Sequence, residues 1–348
     1  MRSRVAIEPR PLVTFGELLL RLAPPGAERL IQASRLDLTF AGAEVNTAVA
    51  AAMWGLPARF VTALPDNPWA GIVEAQLRYW NVDLVSLPVR ASRLGLYFVE
   101  SGHGPRPAKV IYDRKRSAFA SQRAAHYHWP QLLHGASWFH TSGITPALSA
   151  ATRTACGQAL RAAKQAGLRT SFDLNYRSTL WSVKAASRVL REIVVGVDLL
   201  MGAEDVFRQI LGMQPATVIG ADGQPRPDAV ASLCSDVAAK YQVSSVLISL
   251  RNSEANGDLT LAAGLYLRGQ LYLSQTHTLD VVDRLGGGDA MGGVLIAGLQ
   301  QRTPPQRALE EAVAAAALKH TTLGDFMKTT PEEVRAWQTT GKKGRVLR

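Results

Sequence analysis

The stretch VVDRLGGGDAMGGVLIAGL, Val281 to Leu299, sets three consecutive glycines and an aspartate where a strand gives way to a helix. The residues just before it, LYLSQTHTLDVV, are rich in β-branched and apolar positions and read as strand. Beyond Asp289, Met291, Val294, Leu295 and Leu299 fall at helical spacing, while Gly292, Gly293 and Gly298 imply close backbone packing against a neighbour. Gly286, Gly287 and Gly288 therefore sit at a helix N-terminus. Unpaired N–H groups and the positive end of the helix dipole favour an anion there, and residues without Cβ let an oxygen approach the backbone. The spacing alone fits a structural turn as well as an anion site. The common nucleotide loops do not apply, because Met291 breaks G-x-G-x-x-G and no G-x-x-x-x-G-K-[ST] occurs. Asp289 has two readings as well: a plain N-cap, or a carboxylate beside an anion hole that takes a proton from an attacking hydroxyl.

Outward from this stretch, strands alternate with helices. RFVTAL (59–64), VDLVSLP (82–88), SWFHTSG (137–143), RTSFDLN (169–175), VDLLMG (197–202) and SSVLISL (244–250) read as short buried strands. DNPWAGIVEAQLRYW opens a helix with Asp66 or Asn67 as N-cap and Pro68 at N1, and ALSAATRTACGQALRAAKQAG runs helical to Gly167. The alternation predicts an α/β fold, a doubly wound and mostly parallel sheet with helices on both faces and ligands at the carboxyl ends of its strands. Two regions depart from it, 18–40 and 93–114, which read as short strands with Pro/Gly turns and no helix. They predict a small antiparallel β-sheet lying over the strand ends as a lid. The expected unit is one domain over 11–340.

The bulk numbers agree with a large core: 348 residues, 47% of them hydrophobic. Lys and Arg number 39 against 28 Asp and Glu, a net +11 that suits either polyanions or small anionic substrates. The basic residues are scattered, and the tail GKKGRVLR reads as a solvated end, so no nucleic-acid partner is expected. Cys156 and Cys234 read as reduced buried thiols of a cytoplasmic protein. The segment MRSRVAIEPRPLV lacks an apolar h-region, which supports neither a signal peptide nor a membrane span. His126 and His128 read as surface loop residues.

The chain resembles the PfkB-type (ribokinase-like) carbohydrate kinases. Asp283-Arg284-Leu285-Gly286-Gly287-Gly288-Asp289 matches the spacing of that family's Asp-Thr-x-Gly-Ala-Gly-Asp. AGAEVNTAVA, FVTALPDNP, RLGLYFVE, KVIYDR, SGITPALS and FDLNYRSTLW are similar to the branch acting on 2-keto-3-deoxygluconate, and the resemblance runs essentially the whole length. It implies ATP as phosphoryl donor with Mg²⁺, Asp289 as base, and the amides of Gly286, Gly287 and Gly288 as anion hole. For the sugar acid it implies Gly42, Asn46, Tyr97, Tyr112, Arg114, Arg177 and Asp325. Arg114 and Arg177 are the expected carboxylate pair, with a structural salt bridge to Asp113 or Asp173 as the other reading. On the nucleotide side it implies Asn175, Ser249 and Arg251, with adenine near Ala312 to His320. A homo-oligomer joined through the lid is expected, since pairing would cover its edge strands.

The chain departs from the family pattern after VDLLMG. Members usually carry Asn-x-x-Glu there, a segment tied to magnesium and phosphate, whereas this chain has Gly202-Ala203-Glu204-Asp205. Asp205 is the remaining candidate for the metal. Lys115 and Arg116 stand where small residues often follow, adding positive charge near the expected acid-binding edge.

Overall fold

The computed structural model describes residues 10–103, 106–214, 216–253 and 259–340. The first nine residues and the basic tail lie outside these. In chain order the first strands are β1 (Leu12–Phe15), β2 (Leu19–Ala23), β3 (Asp37–Ala41), β4 (Ala58–Pro65), β5 (Val82–Val89), β6 (Gly95–Glu100) and β7 (Lys109–Asp113). They continue with β8 (Trp138–Ser142), β9 (Arg169–Asp173), β10 (Leu199–Ala203), β11 (Ser245–Ser253), β12 (Leu259–Leu267), β13 (Gln270–Leu273) and β14 (His277–Leu279). The helices are α1 (Ala43–Met53), α2 (Trp69–Tyr79), α3 (Ala118–Ser121), α4 (Trp129–Leu132), α5 (Thr145–Leu148) and α6 (Ala150–Gln165). After them come α7 (Val183–Ile193), α8 (Glu204–Leu211), α9 (Pro227–Tyr241), α10 (Gly287–Gln300), α11 (Pro305–Lys319) and α12 (Pro331–Thr340).

The large sheet has the order β13-β12-β11-β10-β9-β8-β1-β4-β5, with β14 also on β12. From β11 to β5 every pairing is parallel, and β12, β13 and β14 are added antiparallel at one edge. Because strand residues alternate between faces, Leu200 packs with the helices of one side while Leu199 and Met201 pack with those of the other. Cores on both faces of the sheet follow, as the near-continuous apolar strands require. Successive strands are added on one side of β1 (β4, β5) and then on the other (β8, β9), so the order reverses between β8 and β1 and the crevice at their carboxyl ends is where a ligand fits best.

The small sheet, order β3-β2-β6-β7, is built from the two regions singled out in the sequence. It differs from the expected antiparallel form: β2 pairs β3 and β6 pairs β7 antiparallel, but β2 and β6 run parallel. The long connection from β2 to β6 passes through the main sheet, and only a crossover of that length brings two strands together in the same direction. Two other readings change. LYLSQTHTLDVV forms the separate short strands β13 and β14, and the buried strands β1 and β12 were not among those picked out.

Local signals explain where several helices start and stop. Asn67 Oδ1 accepts the Trp69 amide at 3.0 Å, capping α2 ahead of Pro68. Ser149 and Thr152 form a reciprocal capping box on α6, and Gly167, at φ 72°, follows its end.

Candidate active site

The N-terminus of α10 is built from three glycines with three different surroundings. Gly286 has φ 81°, and a Cβ there would run into the Asp325 carbonyl. A Cβ on Gly287 would strike the His320 ring. Gly288 is different: it is exposed, lines a cavity, and a Cβ would meet nothing within 4 Å. The first-turn amides have no helical carbonyl to pair with, so the open side of this turn presents donors to a ligand.

Asp289 follows in the same turn. Its Oδ2 accepts from Asn46 Nδ2 at 2.7 Å, and Asn46 Oδ1 accepts the Gly42 amide at 3.2 Å, so α1 fixes the carboxylate. Burial pushes the Asp289 carboxyl up to about 7; the Asn46 bond opposes this, Asp173 adds to it, Arg177 opposes it and Asp325 adds to it. A carboxylate poised there can take up and release a proton near neutral pH.

Two cavities meet at this residue. Arg177, Leu285, Gly286 and Asp289 line both. The one on the small-sheet side is also lined by Gly42, Asn46, Tyr97, Tyr112, Arg114 and Asp325, so all seven residues picked for the sugar acid surround one space. Its lining also includes Glu17, Glu44 and Ile144, none of which was singled out in the sequence.

The two arginines of that cavity are unlike each other. Arg114 is buried, and its Nε and Nη2 donate to Glu17 Oε2 at 2.8 and 2.5 Å, with Ser117 also bonded to Glu17. Its partner is thus neither Asp113, which pairs with Arg93 at 2.6 Å, nor Asp173. Arg177 is exposed and faces Asp173 and Asp289. Tyr97 donates its hydroxyl to Asp325 Oδ1 at 2.6 Å and stacks on Tyr112 with centroids 5.7 Å apart. Glu44, fully buried, accepts from Ser142 N, Ser142 Oγ and Thr145 Oγ1 at 3.1, 2.7 and 2.8 Å. Lys115 and Arg116 are exposed and line neither cavity, so the expected extra charge at this edge is absent from its walls.

The second cavity runs along the carboxyl ends of β9, β10 and β11. Asn175, Ser249 and Arg251 line it, as do Arg284, Gly202 and Ala203. Of the segment 312–320, Ala316 and His320 reach it. Asp205 does not: it is exposed on α8, where Ala203 and Val206 form the wall instead. Helix α8 starts at Glu204, and Asp205 in its first turn lies outside this cavity's lining. Among the described residues no group of three or more His, Cys, Asp and Glu is placed to hold a metal. Besides Asp289, the carboxylate that faces this space is Asp173, whose Oδ1 accepts the Asn175 amide at 3.1 Å. Burial pushes it up to about 6, against the opposing effects of that bond, Arg177 and Arg251.

Sequence reasoning also missed Arg21. It lies 3% exposed in β2 and bridges Asp325 and Asp283, both at 2.6 Å. An arginine inside the apolar run LLLRLA was the available signal, since buried guanidinium groups require partners.

A large parallel sheet with a second small sheet over its strand ends, and a ligand space between them, defines the ribokinase-like architecture. The chain belongs to the pfkB family of carbohydrate kinases, whose model matches residues 10–329. A 2-dehydro-3-deoxygalactonokinase of Haloferax volcanii is 37% identical over 93% of this chain and 95% of its own length. A 2-dehydro-3-deoxygluconokinase of Thermoproteus tenax is 30% identical over 90% and 89%. The crystal structure of a 2-dehydro-3-deoxygluconokinase from Thermotoga maritima, 36% identical, superposes with a TM-score of 0.88 over 95% of this chain and 99% of that one. No helix among the described residues is long and apolar enough to cross a membrane.

Proposed function

We propose that this kinase transfers the γ-phosphoryl group of ATP to the 6-hydroxyl of 2-keto-3-deoxygluconate. The observation that carries this is the meeting of two cavities at Asp289 and Gly286, which this reading assigns one to each reactant. The hydroxyl oxygen attacks phosphorus as Asp289 takes its proton. The β–γ bridging bond breaks with its electron pair on ADP, and the amides of Gly286, Gly287 and Gly288 meet the charge on the phosphoryl oxygens. Arg114 and Arg177 supply the cationic wall that a sugar acid needs and a neutral ketose does not. Asn175, Ser249 and Arg251 take the nucleotide side. When bound, Mg²⁺ would supply charge neutralisation of the phosphates, and Asp173, which lines this cavity where Asp205 does not, would hold it through waters.

The same reading treats 11–340 as one catalytic unit working in the cytoplasm, with the small sheet as lid. A second copy would cover its edge strands β3 and β7. A coupled ADP-release assay tests the function with 2-keto-3-deoxygluconate, its galactonate epimer and fructose. Turnover on the gluconate acid above both others is expected. Preference for the epimer would reassign the substrate, preference for fructose would remove the role of the arginines, and binding without turnover would make the chain a sugar-acid-binding paralogue.

A further inference from the structure

Arg21 belongs to the small sheet, yet both arms of its fork leave that sheet. Nη1 donates to Asp325 Oδ1 and Nη2 to Asp283 Oδ2, each at 2.6 Å. The two carboxylates stand on either side of the glycine turn. Asp283 precedes it: Oδ1 accepts the Leu285 amide and Oδ2 the Gly324 amide, both at 3.0 Å. Asp325 closes it from the other side, since its carbonyl occupies the space a Cβ on Gly286 would need. On the acceptor side, Asp325 Oδ1 also takes the Tyr97 hydroxyl. Lys319, fully buried at the end of α11, donates to the Thr322 carbonyl at 3.3 Å, and the two carboxylates oppose the lowering of its pKa by burial.

We infer that Arg21 is a positioning residue: it couples acceptor binding under the small sheet to the alignment of the glycine turn that receives the nucleotide's phosphates. The inference rests on the acceptor reading given above. A planar guanidinium can serve two carboxylates at once, whereas an ammonium is a point charge that must choose. Hydrogen bonds of this length are lost within an ångström of displacement, so β2 and the turn can shift only together. Whatever fixes Tyr97 and Asp325 therefore fixes the turn, and by linkage the nucleotide tightens the acceptor equally.

Calorimetry on the full chain tests this with a non-hydrolysable ATP analogue and Mg²⁺, with and without saturating 2-keto-3-deoxygluconate. In the wild type the acid should tighten the analogue by about 5- to 150-fold, the usual range of such coupling. In Arg21→Lys the ratio should fall toward one while affinity for the analogue alone changes little. Asp283→Asn, which removes the far limb and retains one carbonyl acceptor, should do the same and carries the test if Arg21→Lys does not fold. A purely structural arginine would lower Tm and leave the ratio at its wild-type value, which overturns the inference. A wild type that binds both ligands without coupling also overturns it. A wild type that binds no sugar acid at all sinks the acceptor reading, and the coupling with it.

Discussion

Asp289 shows how much rests on one carboxylate and the three glycines before it. Its carboxyl, raised to about 7 chiefly by burial, resists ionisation in the folded chain. The sign follows: stability contributed by this group falls as pH rises from the ordinary aspartate range to about 7, while its competence as a base grows over the same interval. Asp289→Asn should therefore lower kcat by roughly 10²–10⁴ with reactant affinities nearly intact. It should also raise Tm, and by more at pH 8 than at pH 5. The plain N-cap reading does not hold, since Gly286 is the N-cap of α10 and Asp289 lies three residues further in; a purely structural role there predicts no loss of turnover. Thermal melts at both pH values and steady-state rates separate the two. Of these three glycines, only Gly288 has no protein neighbour that forbids a side chain. Gly288→Ala should leave stability within about 0.5 kcal/mol of wild type, as surface changes usually do, yet depress kcat by blocking the phosphate approach. Gly287→Ala should instead unsettle the fold, since its Cβ meets His320. An unaltered rate in Gly288→Ala would remove the anion hole from the mechanism.

At the scale of elements, α10 matters for what lies behind it as much as for its exposed end. A Cβ on Gly293 would come 2.8 Å from Ala50 Cβ and 3.0 Å from Ala51 N, so α1 and α10 touch backbone to backbone. That contact sets the distance from Asn46 on α1 to Asp289 on α10. Gly293→Ala should cost about 1–3 kcal/mol as overpacking, read as a fall in Tm, and should weaken turnover beyond the loss of folded enzyme. Full specific activity of the folded fraction would show that the helices do not set the pair. The close packing was legible in the glycine pattern, and so were the parallel strands, whose apolar runs need cover on both faces. The direction of β6 against β2 was not, because pairing between segments some 70 residues apart leaves no local periodicity. Nor was Asp205's orientation, which depends on the residue at which α8 begins. Arg21, Tyr97 and Tyr112 form one cross-strand row over the site, yet only the family motifs pointed to the tyrosines. The arginine stayed hidden in an apolar strand.

The whole molecule carries a net +11, but its two acceptor-side cations do not contribute alike to a bound anion. Arg114 is held by buried Glu17, so the pair is nearly neutral and its removal strands a carboxylate in the core. Arg177 is exposed, lines both cavities and has charge to spare. Arg177→Met should therefore weaken 2-keto-3-deoxygluconate by about ten- to hundredfold, the value of one charge-assisted contact, while fructose and Tm change little. It should also move the rising limb of the pH–rate profile upward, since Arg177 holds the Asp289 carboxyl down against its burial. Arg114→Met should lose both sugar acid and stability. Adding Glu17→Gln to it should restore Tm without restoring the acid, because the stranded charge is gone but no cation has returned. Equal losses for acid and ketose in Arg177→Met would make that arginine a phosphate ligand. Recovery of the acid in the Glu17→Gln/Arg114→Met double variant would mean that the substrate's carboxylate never met Arg114.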